Sequence, residues 1–416
     1  RAEAGFSPLS SCIGRGMGIC ASKPLDDADN SLVGATDGRR RASYVAKETS
    51  SKEEFVSPFP KEIMGFHSNH GVKPAGFGSQ AKINQDRGVI QYPFDQNAQQ
   101  MLLAVFDGHG QHGEYCSEFA AFEVIELLES EPEMLRKDPT AALTKHIVLA
   151  DNNLRKQRDI PSYESGTTAI VTVLRPDKIW AACVGDSRAV KAREEGGKWK
   201  AVDLSVDQKP DTPAERRRIE SLGGYVSDAS DMYGPARVWR GSYGIGPGLA
   251  MARSMGDHAV AELGVHAEPE IVESEITSED RCVVLASDGV WEFIESQEAI
   301  DIVYKHKNNA TAGCKALIAE AGARWKREEG NYRDDITAIV CFLPIFDKLK
   351  SSNTDSVKSN FDAKGDGSKD TLNSAETASL TEAAPEPAES PAAADAPTTE
   401  EGAPPTFARR RLSVAG

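Results

Sequence analysis

The segment MLLAVFDGHGQHG, from Met101 to Gly113, constrains the fold of this chain more than any other part of its sequence. Its first six residues are apolar and predict a buried strand. The strand ends at Asp107, and Gly108, His109 and Gly110 follow without a bulky side chain. A single Asp after a strand is more often a turn former or a helix cap than a ligand. The other carboxylates of the chain decide between these alternatives.

The order of the predicted elements favours an α+β fold. Short apolar runs such as RGVIQYPF and RCVVLAS predict strands, and helical spacing of apolar residues in EYCSEFAAFEVIELLES predicts a helix. The helices come in pairs between groups of strands, an order that favours antiparallel layers over a doubly wound parallel sheet. A capping box is predicted at Thr212–Glu215, with Pro213 in the first helical position.

Composition divides the chain into three parts. Residues 1–58 are rich in Ser, Asp, Ala, Gly and Lys without periodicity, so we expect a flexible arm. Residues 59–346 have the patterning of a folded domain. Residues 347–416 are rich in Ala, Pro, Glu and Ser, carry too few large apolar side chains to offset the entropy of ordering, and predict a disordered tail.

The charge and cysteine content narrow the class of protein. The formal net charge of −16 argues against unspecific nucleic-acid binding, which requires a basic surface. It suits either solubility or a metal site lined by carboxylates. No run of the sequence reaches the ~18 apolar residues of a membrane span. The seven cysteines are scattered without a CxxC pair, which predicts free thiols in a reducing cytosol.

Four carboxylates stand beside strand-like runs. Asp107 and Asp288 each follow an apolar run, whereas Asp334 and Asp86 each precede one. Carboxylates at strand ends on one rim of a sheet assembly would converge, and Asp oxygens without paired Cys or His suit Mg²⁺ or Mn²⁺. Gly108 has no side chain, so its carbonyl can approach an ion. Two such ions about 3.5–4 Å apart would generate a hydroxide for in-line attack on phosphorus.

The chain resembles a known family along most of its folded part. Eight segments, taken in order, are similar to the motif series of the metal-dependent type 2C protein serine/threonine phosphatases. The resemblance covers residues 74–342, roughly two-thirds of the chain. The segments are AVFDGHGQHG, ESGTTAIVTV, WAACVGDSRAV, LSVDQKPDTPAERRRIESLGGYV, LAMARSMGDHA, EPEIVESEIT, CVVLASDGVWEFIESQEAI and YRDDITAIVCF.

The resemblance implies a four-layer α-β-β-α sandwich, in which two antiparallel sheets are each covered by a helix pair. Two Mg²⁺ or Mn²⁺ ions would lie at one end of it. Carried over by position, Asp107 would bridge the ions and Gly108 would contribute its carbonyl. Asp288 and Asp334 would complete the ligand set of the first metal ion. Asp86 would either hold a metal-bound water or be a ligand itself.

The resemblance also assigns the proton chemistry. His109 would be the general acid that protonates the leaving serine or threonine oxygen, a task suited to an imidazole near neutral pH. The GDSR segment at Gly185–Arg188 and the pair Gly256-Asp257 are expected to be scaffold and not metal ligands.

Three positions depart from the family pattern. The arginine that binds substrate phosphate in many members is replaced by Ala81, and its neighbour Lys82 can hold phosphate only as a point charge. The Glu of the family's Glu-Asp pair is Gln85 here. Members with a third, weaker ion usually have an Asp where this chain has Tyr163, which puts a third ion in question unless Glu164 substitutes.

The termini carry modification motifs. MGICASK, starting at Met17, matches the N-myristoylation pattern, with Gly18 as acceptor and Cys20 placed for a second, reversible acylation. Acylation requires Met17 to be the true start, and the alternative is a chance match. Ser43 and Ser413 each follow basic residues, as in basophilic kinase sites or in plain solvated basic clusters. We expect a cytoplasmic monomer, with peripheral membrane attachment or nuclear residence as alternatives.

The sequence thus predicts a metal-dependent protein serine/threonine phosphatase that acts on phosphorylated proteins. In the reaction that the resemblance implies, a hydroxide that bridges two Mg²⁺ or Mn²⁺ ions attacks phosphorus directly. The alternative is a catalytically silent family member that binds a phosphoprotein or a kinase as a regulator. The presence of Asp107, Gly108, His109, Asp288 and Asp334 argues for the enzyme.

Overall fold

Neighbouring strands of the two main sheets run antiparallel in every described pair. The computed structural model describes residues 42–45, 59–76, 78–229, 234–241 and 248–349. The described strands are β1 (Ala42–Val45), β2 (Met64–Asn69), β3 (Val72–Ala75), β4 (Gly78–Ala81), β5 (Arg87–Tyr92), β6 (Met101–Phe106), β7 (Gly108–Gly110), β8 (Ser165–Thr167), β9 (Ala169–Leu174), β10 (Lys178–Val184), β11 (Arg188–Glu195), β12 (Lys198–Asp203), β13 (Tyr225–Ser227), β14 (Arg237–Trp239), β15 (Met255–Gly256), β16 (Glu270–Glu275), β17 (Asp280–Ala286) and β18 (Ile336–Phe342).

One main sheet has six strands in the order β1-β5-β6-β9-β10-β16, and the other has five in the order β12-β11-β17-β18-β2. Smaller sheets join β7, β8 and β15, β13 and β14, and β3 and β4. The described α-helices are α1 (Gly113–Ser130), α2 (Pro132–Lys137), α3 (Pro139–Leu154), α4 (Pro213–Ser221), α5 (Asp288–Trp291), α6 (Ser296–Tyr304) and α7 (Ala310–Glu328). None of these helices is both long enough and apolar enough to cross a membrane.

The strand β6 is apolar throughout because both of its faces are covered. Met101, Leu103 and Val105 belong to a buried cluster that also contains Val283 and Leu285 of β17 in the other sheet. Such burial contributes about 1.5–3 kcal/mol for each large side chain. The intervening residues Leu102, Ala104 and Phe106 pack with residues of α1 and α3.

The five-stranded sheet is covered in the same way. On β18, Ile339 and Cys341 face the cluster shared by the two sheets, whereas Ala338 and Val340 pack with residues of α6 and α7. A mixed α+β fold with antiparallel sheets is therefore confirmed.

Two local features differ from the sequence expectation. Residues 42–45, inside the predicted N-terminal arm, form the edge strand β1 and pair with β5. Helix α4 begins at Pro213 as predicted, but the Thr212 side chain makes no capping hydrogen bond. Glu215 instead accepts hydrogen bonds from Arg253, at 2.8 and 3.2 Å. A guanidinium is a stronger partner for a carboxylate than the neutral backbone N–H of a capping box.

Candidate active site

The register of the strands brings the predicted carboxylates together in two pairs. Arg87, the first residue of β5, is opposite Phe106, the last residue of β6, so Asp86 and Asp107 lie side by side beyond that edge. In the other sheet Ala286 at the end of β17 is opposite Ala338 near the start of β18. Asp288 and Asp334 therefore lie at the same rim, as the sequence predicted.

Hydrogen bonds join the two pairs across the sheets. The Ser287 hydroxyl donates to Asp86 Oδ2 at 2.7 Å, and it also accepts from the Thr337 backbone N–H at 3.0 Å. Asp107 lies close enough to Asp86, Asp288 and Asp334 for their negative charges to raise its pKa. The four aspartates thus form one site, which we call the carboxylate cluster (Asp86, Asp107, Asp288 and Asp334).

The carboxylate cluster is electrostatically unfavourable without a cation. Burial, with the neighbouring Asp335 second, raises the pKa of Asp86 to about 7. Burial, followed by the charges of Asp86 and Asp288, raises the pKa of Asp107 well above its usual range. Burial and Asp186 do the same to the pKa of Asp288. Like charges in a low-dielectric site disfavour ionisation unless a positive charge neutralises them.

The donor set fits a hard divalent cation. Asp86 Oδ1 and Asp186 Oδ1 are buried and have no hydrogen-bond partner in the described part of the chain, and oxygen donors without sulfur or imidazole suit Mg²⁺ or Mn²⁺. As they stand, no three His, Cys, Asp or Glu side chains among the described residues are arranged around one ion position. Several of the carboxylates are engaged by Ser287, Lys82 or Lys209 instead, so a metal ion at this position would require these side chains to rotate.

Lys82, the residue predicted to contact substrate phosphate, is engaged by other side chains. Lys82 donates to Asp334 Oδ1 at 2.6 Å and lies 5.4 Å from the centroid of the Tyr332 ring. The Tyr332 hydroxyl also donates to Asp334, at 3.2 Å. Ala81, by contrast, is exposed.

Gly108 is a position where no other residue fits. A Cβ there would overlap the backbone carbonyls of Gly113 and Gln85, because the start of α1 packs directly on β7. The role of its carbonyl as a ligand stays a prediction. Gln85 holds this corner from the other side, since its side-chain amide donates to the Gly110 carbonyl at 3.0 Å and to Glu114 at 2.9 Å.

His109 is held by an acidic partner. Its Nε2 lies 2.5 Å from Asp257 Oδ2, and the Ser254 hydroxyl donates to the same oxygen at 2.6 Å. Burial alone would lower the pKa of His109, but the Asp257 charge and hydrogen bond outweigh it, so the pKa is raised. Asp257 has a left-handed backbone, with φ of 47°.

Three further side chains belong to this site, two of them in the segments expected to be its scaffold. Asp257 contacts His109 directly. Asp186, also expected to be scaffold, is buried and bonded to Lys209 at 2.6 Å. Asp335 accepts hydrogen bonds from the backbone N–H groups of Gly71 and Gln85. A signal for Asp257 and Asp186 was present in the sequence, since each is in a Gly-Asp pair that follows a strand-like run. Asp107 also follows such a run, but in an Asp-Gly pair.

The remaining predicted positions lie apart. Tyr163 and Glu164 are exposed in the loop before β8. Gly18, Cys20 and Ser413 lie outside the described residues. Ser43 is in β1, so phosphorylation at this position would fall on a strand of the six-stranded sheet.

Comparisons with known proteins point to one family. Residues 77–330 match the family model described as Protein phosphatase 2C. The chain is 32% identical over 355 residues to "Probable protein phosphatase 2C 34" of Arabidopsis thaliana, which covers 81% of this chain and 97% of that protein. It is 36% identical over 343 residues to "Probable protein phosphatase 2C 35" of the same species, and the match covers 77% of this chain and 95% of that protein.

Solved structures show a similar fold. The chain superposes on serine-threonine phosphatase 2C from Toxoplasma gondii with a TM-score of 0.60 and 22% identity, over 73% of this chain and 98% of that one. A Caenorhabditis elegans sex determining protein matches with a TM-score of 0.54 and 21% identity, over 70% of this chain and 67% of that one.

Proposed function

Because the chain belongs to the protein phosphatase 2C family and is a protein serine/threonine phosphatase, we propose that it is a metal-dependent enzyme. Its carboxylate cluster would hold two Mg²⁺ or Mn²⁺ ions, and its substrates are phosphoserine and phosphothreonine of proteins. When bound, such ions activate water for direct attack on phosphorus and offset the phosphate charge.

The observation that carries this proposal is the state of the carboxylate cluster. Four aspartates from two sheets meet at one rim, and burial together with mutual repulsion raises the pKa values of Asp86, Asp107 and Asp288. Such an arrangement is costly for a scaffold and useful for a cation site. The proposed ligands are Asp107, Gly108, Asp288 and Asp334, with Asp86 as a ligand or a holder of bound water.

Other side chains of the site handle the proton and the phosphate. His109, whose pKa Asp257 raises, would donate its proton to the leaving serine or threonine oxygen. Lys82, released from Asp334, would hold a phosphate oxygen as a point charge. Asp186, bonded to Lys209, would keep that ammonium beside Asp288.

The finer architecture and cellular context are part of the proposal. The catalytic domain would span residues 59–346, with its layers stacked helix, sheet, sheet, helix between an N-terminal arm (1–58) and a tail (347–416). We propose a cytoplasmic monomer, attached to membranes where Gly18 and Cys20 are acylated.

An assay of the full chain on matched phosphoserine and phosphothreonine peptides tests the enzyme against the silent regulator. We expect turnover with Mn²⁺ or Mg²⁺, none with EDTA, and a loss of about 10³-fold in kcat for Asp107→Asn, a loss typical for removal of a catalytic charge. Asp211→Asn, at an exposed position, should match the wild type. Phosphopeptide binding without metal-dependent turnover would favour the regulator and overturn the proposal.

A further inference from the structure

A cleft of about 380 Å³ opens beside the proposed active site. One side is formed by the loop that follows α3, from Arg155 to Tyr163, and the other by Arg240, after β14, together with His258 and Glu262. It lies apart from the carboxylate cluster, none of whose members lines it. Its volume suits a side chain or two of a bound peptide.

The floor of the cleft is a fixed structure. His258 Nε2 lies 3.0 Å from Asp151 Oδ1, and its Nδ1 lies 3.1 Å from the Ser162 hydroxyl. Backbone hydrogen bonds run from His258 N to Ser162 O and from Ala259 N to Tyr163 O. Both ring nitrogens of His258 are therefore occupied, and the imidazole supports the wall of the cleft without being free for a ligand.

The charge of the cleft is positive, in a chain with a net charge of −16. Arg155 is exposed, and its side chain has no hydrogen-bond or acidic partner among the described residues. Arg240 donates one N–H to the Ala259 carbonyl at 2.6 Å, which leaves four of its five donors for other acceptors. Glu262 is the one acidic residue of the lining.

One wall of the cleft is next in sequence to a residue that contacts His109. His258 directly follows Asp257, and consecutive Cα atoms are ~3.8 Å apart. Asp257 in turn contacts His109, and its backbone N–H donates to Ser165 at the start of β8. A peptide whose phosphorylated residue reaches His109 could place a residue a few positions away in the cleft, since an extended chain advances about 3.3 Å per residue.

We propose that this cleft binds an anionic side chain of the protein substrate, either a carboxylate or a second phosphate, through Arg155 and Arg240. Guanidinium groups bind both oxyanions through paired N–H donors. Tyr163, 57% exposed in the lining, offers a flat apolar surface for the intervening peptide. The inference rests on the proposed function and specifies its substrates as phosphoproteins with a second acidic group near the phosphorylated residue.

Kinetics on three sets of phosphopeptides test this subsite. In one set a Glu is moved from two to six residues on either side of the phosphoserine, in the second a second phosphoserine is moved likewise, and in the third all flanking residues are neutral. For Arg155→Ala and Arg240→Ala we expect KM to rise about three- to tenfold for the best anionic peptide, with kcat unchanged. The neutral peptide and p-nitrophenyl phosphate should be hydrolysed as by the wild type. Arg158→Ala, an exposed arginine of the same loop outside the cleft, is the matched control.

Reversal of charge gives a second readout. Arg155→Glu should raise KM for the anionic peptides further. For a peptide with Lys at the same position, KM should become closest to that of the neutral peptide. If KM rises only for the peptides with a second phosphoserine, the cleft is specific for phosphate. If KM rises for both anionic sets, the cleft binds oxyanions in general. Equal KM values for anionic and neutral peptides in wild type and variants would overturn the subsite.

Failure of the proposed function is distinguishable from failure of the subsite. Fluorescent peptides with unphosphorylated Ser and a Glu moved from two to six residues on either side of it can be titrated into the metal-free protein by anisotropy, which needs no turnover. Arg155→Ala should weaken this binding about three- to tenfold and Arg158→Ala should not. If turnover is absent but Arg155→Ala alone weakens peptide binding, only the proposed phosphatase activity is contradicted. If turnover is normal but Arg155→Ala binds the peptides as the wild type does, only the subsite is contradicted.

Discussion

The Lys82 ammonium lies 2.6 Å from Oδ1 of Asp334, so the side chain proposed to hold substrate phosphate is bonded to a proposed metal ligand. Asp334 is partly exposed, and its carboxylate forms an ion pair with Lys82. A divalent ion at Asp334 would displace this ammonium toward the phosphate position. We expect the pair thereby to couple metal binding to substrate binding.

Lys82→Met should separate these two effects. Without the competing ammonium we expect tighter binding of Mn²⁺ in calorimetric titrations, and without the point charge we expect KM for a phosphopeptide to rise about tenfold. Lys73→Met, an exposed lysine in the neighbouring strand β3, should change neither quantity. An unchanged KM in Lys82→Met would remove Lys82 from the phosphate site.

Asp257→Asn should move the pH dependence of kcat. Asp257 raises the pKa of His109, and a general acid loses activity as pH rises through its pKa. The variant should therefore lose activity at lower pH than the wild type in a pH profile with saturating Mn²⁺. Asn tolerates the left-handed backbone of this position, and Asp159→Asn, an exposed aspartate, is the control. An unmoved alkaline limb would show that the proton donor is not His109.

The carboxylate cluster should make the metal-free protein less stable as pH rises. Because the folded-state pKa of Asp86 is about 7 against a usual 3.8, the folded protein binds more protons than the unfolded one between about pH 4 and pH 7. The contribution of Asp86 to the free energy of unfolding in EDTA should fall across this window, by on the order of 4 kcal/mol for a shift of this size.

Urea unfolding in EDTA at several pH values measures this loss. Asp86→Asn should flatten the decline, Asp211→Asn should leave it unchanged, and Mn²⁺ should restore stability at pH 8 in the wild type. The same pH dependence in the wild type and in Asp86→Asn would contradict the raised pKa.

Lys191→Met should destabilise the sheet assembly. The Lys191 ammonium is fully buried, bonded to Asp280 at 3.0 Å and to the Glu275 carbonyl at 2.6 Å. Its removal leaves a buried carboxylate without its main counter-charge, which costs about 3 kcal/mol in the free energy of unfolding. The double variant Lys191→Met/Asp280→Asn should recover part of this loss. Lys200→Met, exposed in β12, should have little effect.

Local patterns predicted the elements that carry strong periodicity. The continuous apolar run of β6 and the carboxylate that follows it were evident because the strand is covered on both faces. The edge strand β2 (MGFHSN) was not predicted, since its second half is polar and its pairing with β18 is set by a partner more than 260 residues later. Such long-range register is not encoded in a local window.

The site could be predicted where motif and strand end coincide. Asp107 and Asp288 meet as expected. The partnership of His109 with Asp257, 148 residues away, depends on the packing of β7, β8 and β15, which no spacing rule supplies. The bond between Lys82 and Asp334 likewise arises from two segments 252 residues apart, and only tertiary structure reveals it.

The most direct test of the account is the number of Mn²⁺ ions bound, measured together with phosphopeptide turnover on the same sample. Native mass spectrometry and calorimetry of the wild-type chain should give two ions, with turnover rising as the second ion binds. Asp107→Asn should lose at least one ion and the turnover together. Turnover at full rate in a metal-free wild type, or in Asp107→Asn, would contradict the central claim that the carboxylate cluster is a two-ion catalytic site.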